Sequence, residues 1–399
     1  MNIKSAAASY LPIALPSVLL AITALLSLSW PGSSTSGQAA LWGLTLSTLG
    51  AYVLLYRPAD AGRRLPDWLL CILRPLYRLL SSSANRPWIV ARGSHLFFLS
   101  YGLLQALGAA LFFLYFKLFF VGSGVGFPVD LMLLASCVPV IGGNRLAGLL
   151  VQVFVEGLSW RAALFRVRFL SIGFAAGVAV AIVAAAWWWD LPIAAMTDAA
   201  FTSLLWAVIF GNLGCIYYGC CHGAVCVDGG GLTYAHPSLK PNRTLGLPSV
   251  NVTPIPLYCA AFGAWILGFA LVLRTQFDLP FGFLTAIVGT CFGLARYVEE
   301  WFRFDSKTSA KILVMNQLYA ALLIALSVGV GLWGHRSGAA WKAQPLADVA
   351  ASLADPATYV IPAVIFVVVG FIYSYHRGAI GTWSAHPNER RSPAGALAR

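Results

Sequence analysis

Ten apolar stretches, each near the length needed to cross a bilayer, recur along this chain. They lie near 10–29, 38–56, 96–120, 128–155, 169–189, 193–218, 254–273, 281–302, 313–333 and 358–375. A helical crossing takes about 20 residues. Inside hydrocarbon only helices and closed barrels satisfy their own backbone, and the alternation over about ten residues that a barrel would need is not present. The chain therefore reads as all-α, a polytopic α-helical membrane protein with about nine or ten apolar segments. Composition agrees: 10% of residues are charged, against about a quarter in soluble domains. The stretches at 128–155 and 193–218 carry glycine, proline or polar interruptions, so they are expected to be broken or re-entrant.

The net charge of +12 raises the question of nucleic acid, but the 26 basic residues are scattered among apolar segments. Attraction to anionic headgroups explains that distribution better, and no nucleic-acid partner is expected. Seven arginines lie within 57–94, interleaved with Leu, Trp and Tyr, as in an amphipathic helix at a membrane surface. The positive-inside rule places that segment at the cytoplasm. The first apolar stretch is read as an uncleaved helix, because so many others follow it.

An ionisable group inside a membrane helix costs about 2.5–3.5 kcal/mol on insertion scales, so each one needs a reason. The clearest case is "FGLARYVEEWFRFD", 292–305. Arg296 and Glu300 are four apart and share a helical face, with Glu299 and Arg303 flanking them. An arginine fork suits a phosphate, and a carboxylate can orient it or move a proton. The competing reading is a structural ion pair at a snorkelling helix end. Arg145 in "IGGNRLAG", with Glu156 following, lies inside an apolar stretch, whereas Arg161, Arg166 and Arg168 sit where a boundary would be. Lys117 reads as a snorkelling anchor at its helix end.

"GNLGCIYYGCCHGAVC", 211–226, concentrates Cys215, Cys220, Cys221, His222 and Cys226. The spacing matches no familiar zinc pattern of paired C-x-x-C. Plain packing carries most weight, a disulfide less, and a metal least. The glycines Gly211, Gly214, Gly219 and Gly223 permit close helix approach or a backbone that opens around a ligand.

Taken with its neighbours, this stretch resembles the signature of bacterial prolipoprotein diacylglyceryl transferases, in a branch whose signature ends Gly-Cys-Cys-Tyr-Gly. "SYGLL" (100–104) is similar to the family's early Tyr-Gly-Leu helix. "IGGNRLAG" resembles its Gly-Gly-Arg segment, and "LFRV" (164–167) a short connection after it. "GLTYAHPSL" and "LGLPSVNVTPIPLYCA" resemble the loop and helix start that follow the signature. "GLARYVEEWFRFD" is similar to the Arg-x-x-x-Glu helix, and "MNQL" (315–318) to the start of the last helix. The resemblance spans about 96–334 and implies a seven-helix transferase core. Outside that core are an additional helix pair (1–56), the basic interfacial segment (57–95), an additional C-terminal helix (335–375) and a disordered basic tail (376–399).

The resemblance implies transfer of a diacylglyceryl group from phosphatidylglycerol, or a related anionic phospholipid, to the cysteine thiol of a prolipoprotein or other acceptor. Glycerol phosphate would leave, and no cofactor or metal would be needed. It places the chain in the bacterial plasma (inner) membrane as a multi-pass protein in contact with the lipid bilayer. Carried over by position, Tyr101, Arg296 and Glu300 would be catalytic, and Arg145, Asn212, Gly223 and Arg166 would bind substrate. The match at Arg145 needs a one-residue shift past Asn144. The family also starts its Tyr-Gly-Leu helix outside the cell, in conflict with the cytoplasmic placement of 57–94.

The departures bear on activity. The signature arginine falls on Asn212, and its asparagine falls on Cys215. The His-Gly-Gly segment corresponds to "SIGFAAG" (171–177), without histidine, and "TPIPLYCA" lacks the family's His, Gln and Glu. An alternative is therefore a catalytically inactive or re-purposed member serving as a lipid-binding membrane scaffold.

Overall fold

The computed structural model describes residues 67–92, 95–123, 127–154, 157–165, 171–226, 230–245, 247–303 and 310–377. The expected helix pair at 1–56 and nearly all of the tail at 376–399 lie outside the described residues. In chain order the elements begin with α1 (Asp67–Ala84), β1 (Ile89–Arg92), β2 (His95–Phe98), α2 (Leu99–Phe119), α3 (Val129–Phe154) and α4 (Trp160–Phe165). Next come α5 (Ser171–Trp189), α6 (Ile193–Tyr218), β3 (Leu232–Tyr234), α7 (Lys240–Leu245), β4 (Val250–Val252) and α8 (Ile255–Gln276). The chain continues through β5 (Leu279–Pro280), α9 (Phe283–Phe302), α10 (Ala310–Arg336), β6 (Ala340–Trp341), α11 (Leu346–Ala354), α12 (Val360–Ser374) and β7 (Tyr375–Arg377).

Six helical segments among the described residues are long and apolar enough to cross a membrane: 99–119, 129–154, 193–218, 255–276, 317–336 and 356–374. Their outward surfaces are apolar. Leu318, Leu322 and Leu326 line one face of α10 at 58–66% exposure, a surface that water would penalise and lipid tails accept. This is an all-α polytopic membrane fold.

The expected breaks at 128–155 and 193–218 do not occur, because α3 and α6 each run continuously for 26 residues. The glycines of α3 serve packing instead. A Cβ on Gly143 would stand 2.8 Å from the Gly173 carbonyl oxygen, and one on Gly177 would stand 2.3 Å from that of Pro139. Small residues thus let α3 and α5 lie backbone to backbone, as in tightly packed membrane helices. Pro139 is accommodated inside α3 beside that contact.

The bundle has two differently built ends. At one end an apolar core joins Phe116, Phe119, Met132, Met196, Phe262, Leu284 and Trp341. Within it Asp198 of α6 is fully buried and accepts from the Gly282 and Thr285 N–H groups at 2.7 Å each. It also accepts from the Thr285 hydroxyl at 2.7 Å and from Trp341 Nε1 at 2.9 Å. Asp198 therefore caps α9 from a neighbouring helix, satisfying N–H groups that a helix start leaves unpaired. Gly282 must be glycine there, since its φ is +83° and a Cβ would meet the Val330 carbonyl oxygen at 2.7 Å. Trp341 also lies 4.8 Å beneath the Arg274 guanidinium, which donates to the Lys342 and Phe119 carbonyls. Lys117, read as a snorkelling anchor, pairs with Asp130 at 2.9 Å.

The opposite end carries α1, the sheet β1-β2-β7 and the β3-β4 hairpin. Tyr77 of α1 hydrogen-bonds Tyr258 at 3.0 Å and Ser83 bonds Tyr217 at 2.8 Å, while Ile72, Leu76 and Leu79 remain exposed. One face of α1 is docked and another is apolar and open, the pattern of a helix lying at a membrane surface. Segment 67–84 thus sits at the same end as the start of α2 and the finish of α6. Epitope tags after Arg86 and after Ser249 are expected on one side of the membrane, and a tag after Ser337 on the other. Surface labelling that groups Arg86 with Ser337 would contradict this arrangement.

Candidate functional site

The site forms where α9 ends. Helical spacing places Arg296, Glu299, Glu300 and Arg303 on adjoining faces of the last turns. Arg296 Nη2 lies 2.6 Å from Glu300 Oε1, and Arg303 Nη1 lies 2.9 Å from the same oxygen. Arg296 Nη1 also donates to Glu299 at 3.2 Å. The Glu300 side chain has no exposure, whereas those of Arg296 and Arg303 keep 20% and 15%. A carboxylate thus fixes two guanidiniums from below, and each keeps a small exposed part.

The signature loop meets this cluster through a sulfur. Helix α6 ends at Gly219, whose φ of +77° reverses the chain, and the N–H groups of Gly219 and Cys220 both donate to the Cys215 carbonyl. That turn is a left-handed helix stop. It folds Cys220 and Cys221 back over Cys215, so that the three sulfurs lie within 4.8 Å of one another. Arg303 Nη2 donates to Cys221 Sγ at 3.0 Å. Cys221 itself has φ +59°, a conformation that costs a non-glycine residue energy. Hydrogen bonds from Cys215 and Cys220, then the charges of Arg303 and Lys240, hold its thiol well below the usual thiol range against the opposing effect of burial. None of the four signature cysteines is in a disulfide.

Beyond the cysteines the loop runs along the β4 edge. Gly223 N–H donates to the Thr253 carbonyl and Cys226 N–H to that of Asn251, at 2.9 and 2.8 Å. A Cβ on Gly223 would meet Ile255 and Thr253 at 2.9 Å and the Phe302 carbonyl at 3.3 Å. This glycine is needed for close approach of the loop to the end of α9. His222 is buried, with Nδ1 2.8 Å from the Gly223 carbonyl oxygen. Beside this edge a cleft of about 450 Å³ is lined by Arg74, Tyr77, Arg78, Ser81, Thr233 and Asn251, among others.

Tyr101 stands in the first turn of α2, its ring 5.2 Å from that of Tyr218 and 6.3 Å from that of Tyr373. It packs against the same apolar cluster as Cys220. A Cβ on Gly214 would meet Gln105 Nε2 at 3.2 Å and Tyr101 Cδ2 at 3.4 Å, and Gln105 donates to the Gly211 carbonyl at 3.2 Å. Gly211 and Gly214 therefore face α2.

Tyr101, Gly223, Arg296 and Glu300 thus gather at one end of the bundle, around the cysteines. Arg145 is placed differently: its guanidinium donates to the Ala163 and Leu164 carbonyls at the finish of α4, so it belongs to the α3–α4 corner. Asn212 turns back on its own helix, its amide donating to the Val208 carbonyl at 2.8 Å. Arg166 and Glu156 lie outside the described residues.

Sequence reasoning ranked Arg303 only as a flank, although it links Glu300 to Cys221. The signal for it was present in the spacing: seven residues from Arg296 is two helical turns on the same face. Asp198, a lone acid in an apolar run, was also detectable by its cost in hydrocarbon.

A sequence model of the prolipoprotein diacylglyceryl transferase family matches residues 90–333, more than half of the 399 residues. A search of curated proteins finds no significant match.

Proposed function

This chain belongs to the prolipoprotein diacylglyceryl transferase family, and from that premise we propose that it moves the diacylglyceryl group of phosphatidylglycerol, or a related anionic phospholipid, to a prolipoprotein cysteine thiol. Glycerol phosphate is the leaving product. The observation that carries this reading is the Arg296–Glu300–Arg303 arrangement, two guanidiniums that keep a small exposed part and are fixed by one buried carboxylate at the end of α9. Charge grows on the phosphate as its bond to the glyceryl carbon breaks. Fixed donors in a water-poor site stabilise that charge without having to reorganise.

In this proposal Arg296 and Arg303 hold the phosphate, and Glu300 is a positioning residue that sets their geometry. Tyr101, packed against the same apolar cluster as Cys220, faces the acceptor side of the reaction. Gly223 keeps the loop close against the end of α9. The membrane is the bacterial inner membrane, where donor lipid and prolipoprotein acceptor meet.

A second reading, a lipid-binding member without catalysis, is favoured by Asn212, which bonds its own helix where the family has a cation. One assay separates the two. Purified protein with headgroup-labelled phosphatidylglycerol and a lipobox peptide is expected to release labelled glycerol phosphate only when both are present. Lipid binding without release, across peptides and detergents, would favour the scaffold.

A further inference from the structure

The three-sulfur cluster has more order than packing requires. Cys215 Sγ projects from the last full turn of α6, and the left-handed stop at Gly219 returns Cys220 and Cys221 over it. The Cys221 backbone holds φ +59°, a cost that persists only where surrounding structure imposes it. All three sulfurs lie within 4.8 Å of one another. A tetrahedral zinc site with bonds of about 2.3 Å separates its sulfurs by about 3.8 Å, so a small contraction completes one face of a tetrahedron.

We propose that Cys215, Cys220 and Cys221 bind a thiophilic divalent cation of the zinc type, whose fourth position takes the acceptor's thiol. Three protein ligands with one open position is the pattern of catalytic rather than structural zinc. Three thiolates and a dication leave one net negative charge. Arg303, 3.0 Å from Cys221, and the buried Lys240 nearby balance it. An N–H donor to a ligating sulfur is a usual outer-shell partner, which fixes the ligand and tunes the metal. The sequence did not disclose the site because its ligands span a helix end and a reversed turn, where no fixed C-x-x-C spacing applies.

The site's place beside the arginine forks gives it a role. The inference rests on the transferase reading above. Coordination removes the acceptor's thiol proton to solvent. The bound sulfur then attacks the glyceryl carbon that carries the phosphate. A C–S bond forms and the C–O bond breaks, its electron pair leaving on the phosphate oxygen held by Arg296 and Arg303. No oxidant or reductant enters.

The test uses full-length protein purified without chelators. Elemental analysis is expected to give about one zinc per chain, dropping below about one tenth in Cys215→Ser, Cys220→Ser and Cys221→Ser. Cobalt in place of zinc should show the intense near-ultraviolet sulfur-to-metal band, and adding lipobox peptide should shift its visible bands. Wild-type protein that holds no zinc or cobalt, or that carries a disulfide among these cysteines, overturns the site. So does zinc that survives all three substitutions. Cobalt bands unmoved by peptide overturn its role toward the acceptor. Stripped protein that still releases glycerol phosphate at the full rate also overturns that role while leaving the transferase reading intact. A peptide-responsive metal site in a protein that releases none removes the transferase reading instead.

Discussion

Replacing Glu300 with glutamine is expected to reduce glycerol phosphate release by about two orders of magnitude or more, the range in which positioned charged groups act. The reason is geometric. Glu300 Oε1 accepts from Arg296 at 2.6 Å and from Arg303 at 2.9 Å, and the side chain is sealed from solvent. A neutral amide offers one oxygen and two unwanted donors, so the guanidiniums would repel each other with nothing between them. Removing one partner of a buried ion pair costs about 3–5 kcal/mol. Glu300→Asp restores the charge one methylene shorter and should recover part of the rate. A merely structural role would lower stability in both variants and leave KM for the lipid unchanged in the folded fraction. A positioning role raises that KM together with lowering kcat. Wild-type kinetics in Glu300→Gln would end the claim that this carboxylate sets the site.

The second large effect is expected far from the chemistry. Asp198→Ala leaves the Gly282 and Thr285 N–H groups and Trp341 Nε1 buried without their acceptor, while the Thr285 hydroxyl keeps Thr197 Oγ1 at 3.0 Å. Each such orphan costs about 1–3 kcal/mol. Some will find other partners, so a total near 3–5 kcal/mol is expected, as for a broken buried charge network. Thermal unfolding in detergent should rank Asp198→Ala below Asp198→Asn, which keeps one acceptor oxygen. Trp341→Phe removes one of these bonds and also shrinks a fully buried ring packed beneath Arg274, so its cost should exceed that of one hydrogen bond. Gly282 and Glu300 are 18 residues apart along α9, a rise of about 27 Å, so folded Asp198→Asn should keep most of its transfer rate. An Asp198→Ala protein as heat-stable as wild type would show that the cap contributes little.

The two ends of α9 explain why the sequence was readable in some places and opaque in others. Arg296 and Glu300 stood out because an ion pair four residues apart needs only helical periodicity to be recognised. Tyr101 and Gly223 were picked out by short motifs in family order, and both lie at the same end of the bundle as that pair. Arg145 looked equivalent to them by the same reasoning, and its Nη2 donates to the Ala163 and Leu164 carbonyls at the α3–α4 corner. Which carbonyls a long side chain can reach depends on how α4 lies against α3, and no local pattern encodes that. The glycines and proline of 128–155 and the polar residues of 193–218 misled for a related reason. Isolated helices would be weakened there, but in the bundle the glycines become the contact face between α3 and α5.

By itself the sequence determined that this chain is a helical membrane protein, that it belongs to a lipid-transferring family, and that a guanidinium–carboxylate pair sits near the end of one helix. Those properties follow from length, hydropathy and spacing along a single element. Tertiary structure alone decided that Arg303 joins that pair to Cys221, that three sulfurs converge on one point, and that Asp198 caps a helix 84 residues further on. Each of these joins groups on different elements or across a reversed turn. Their distances are set by how helices pack, and the order of residues does not record them.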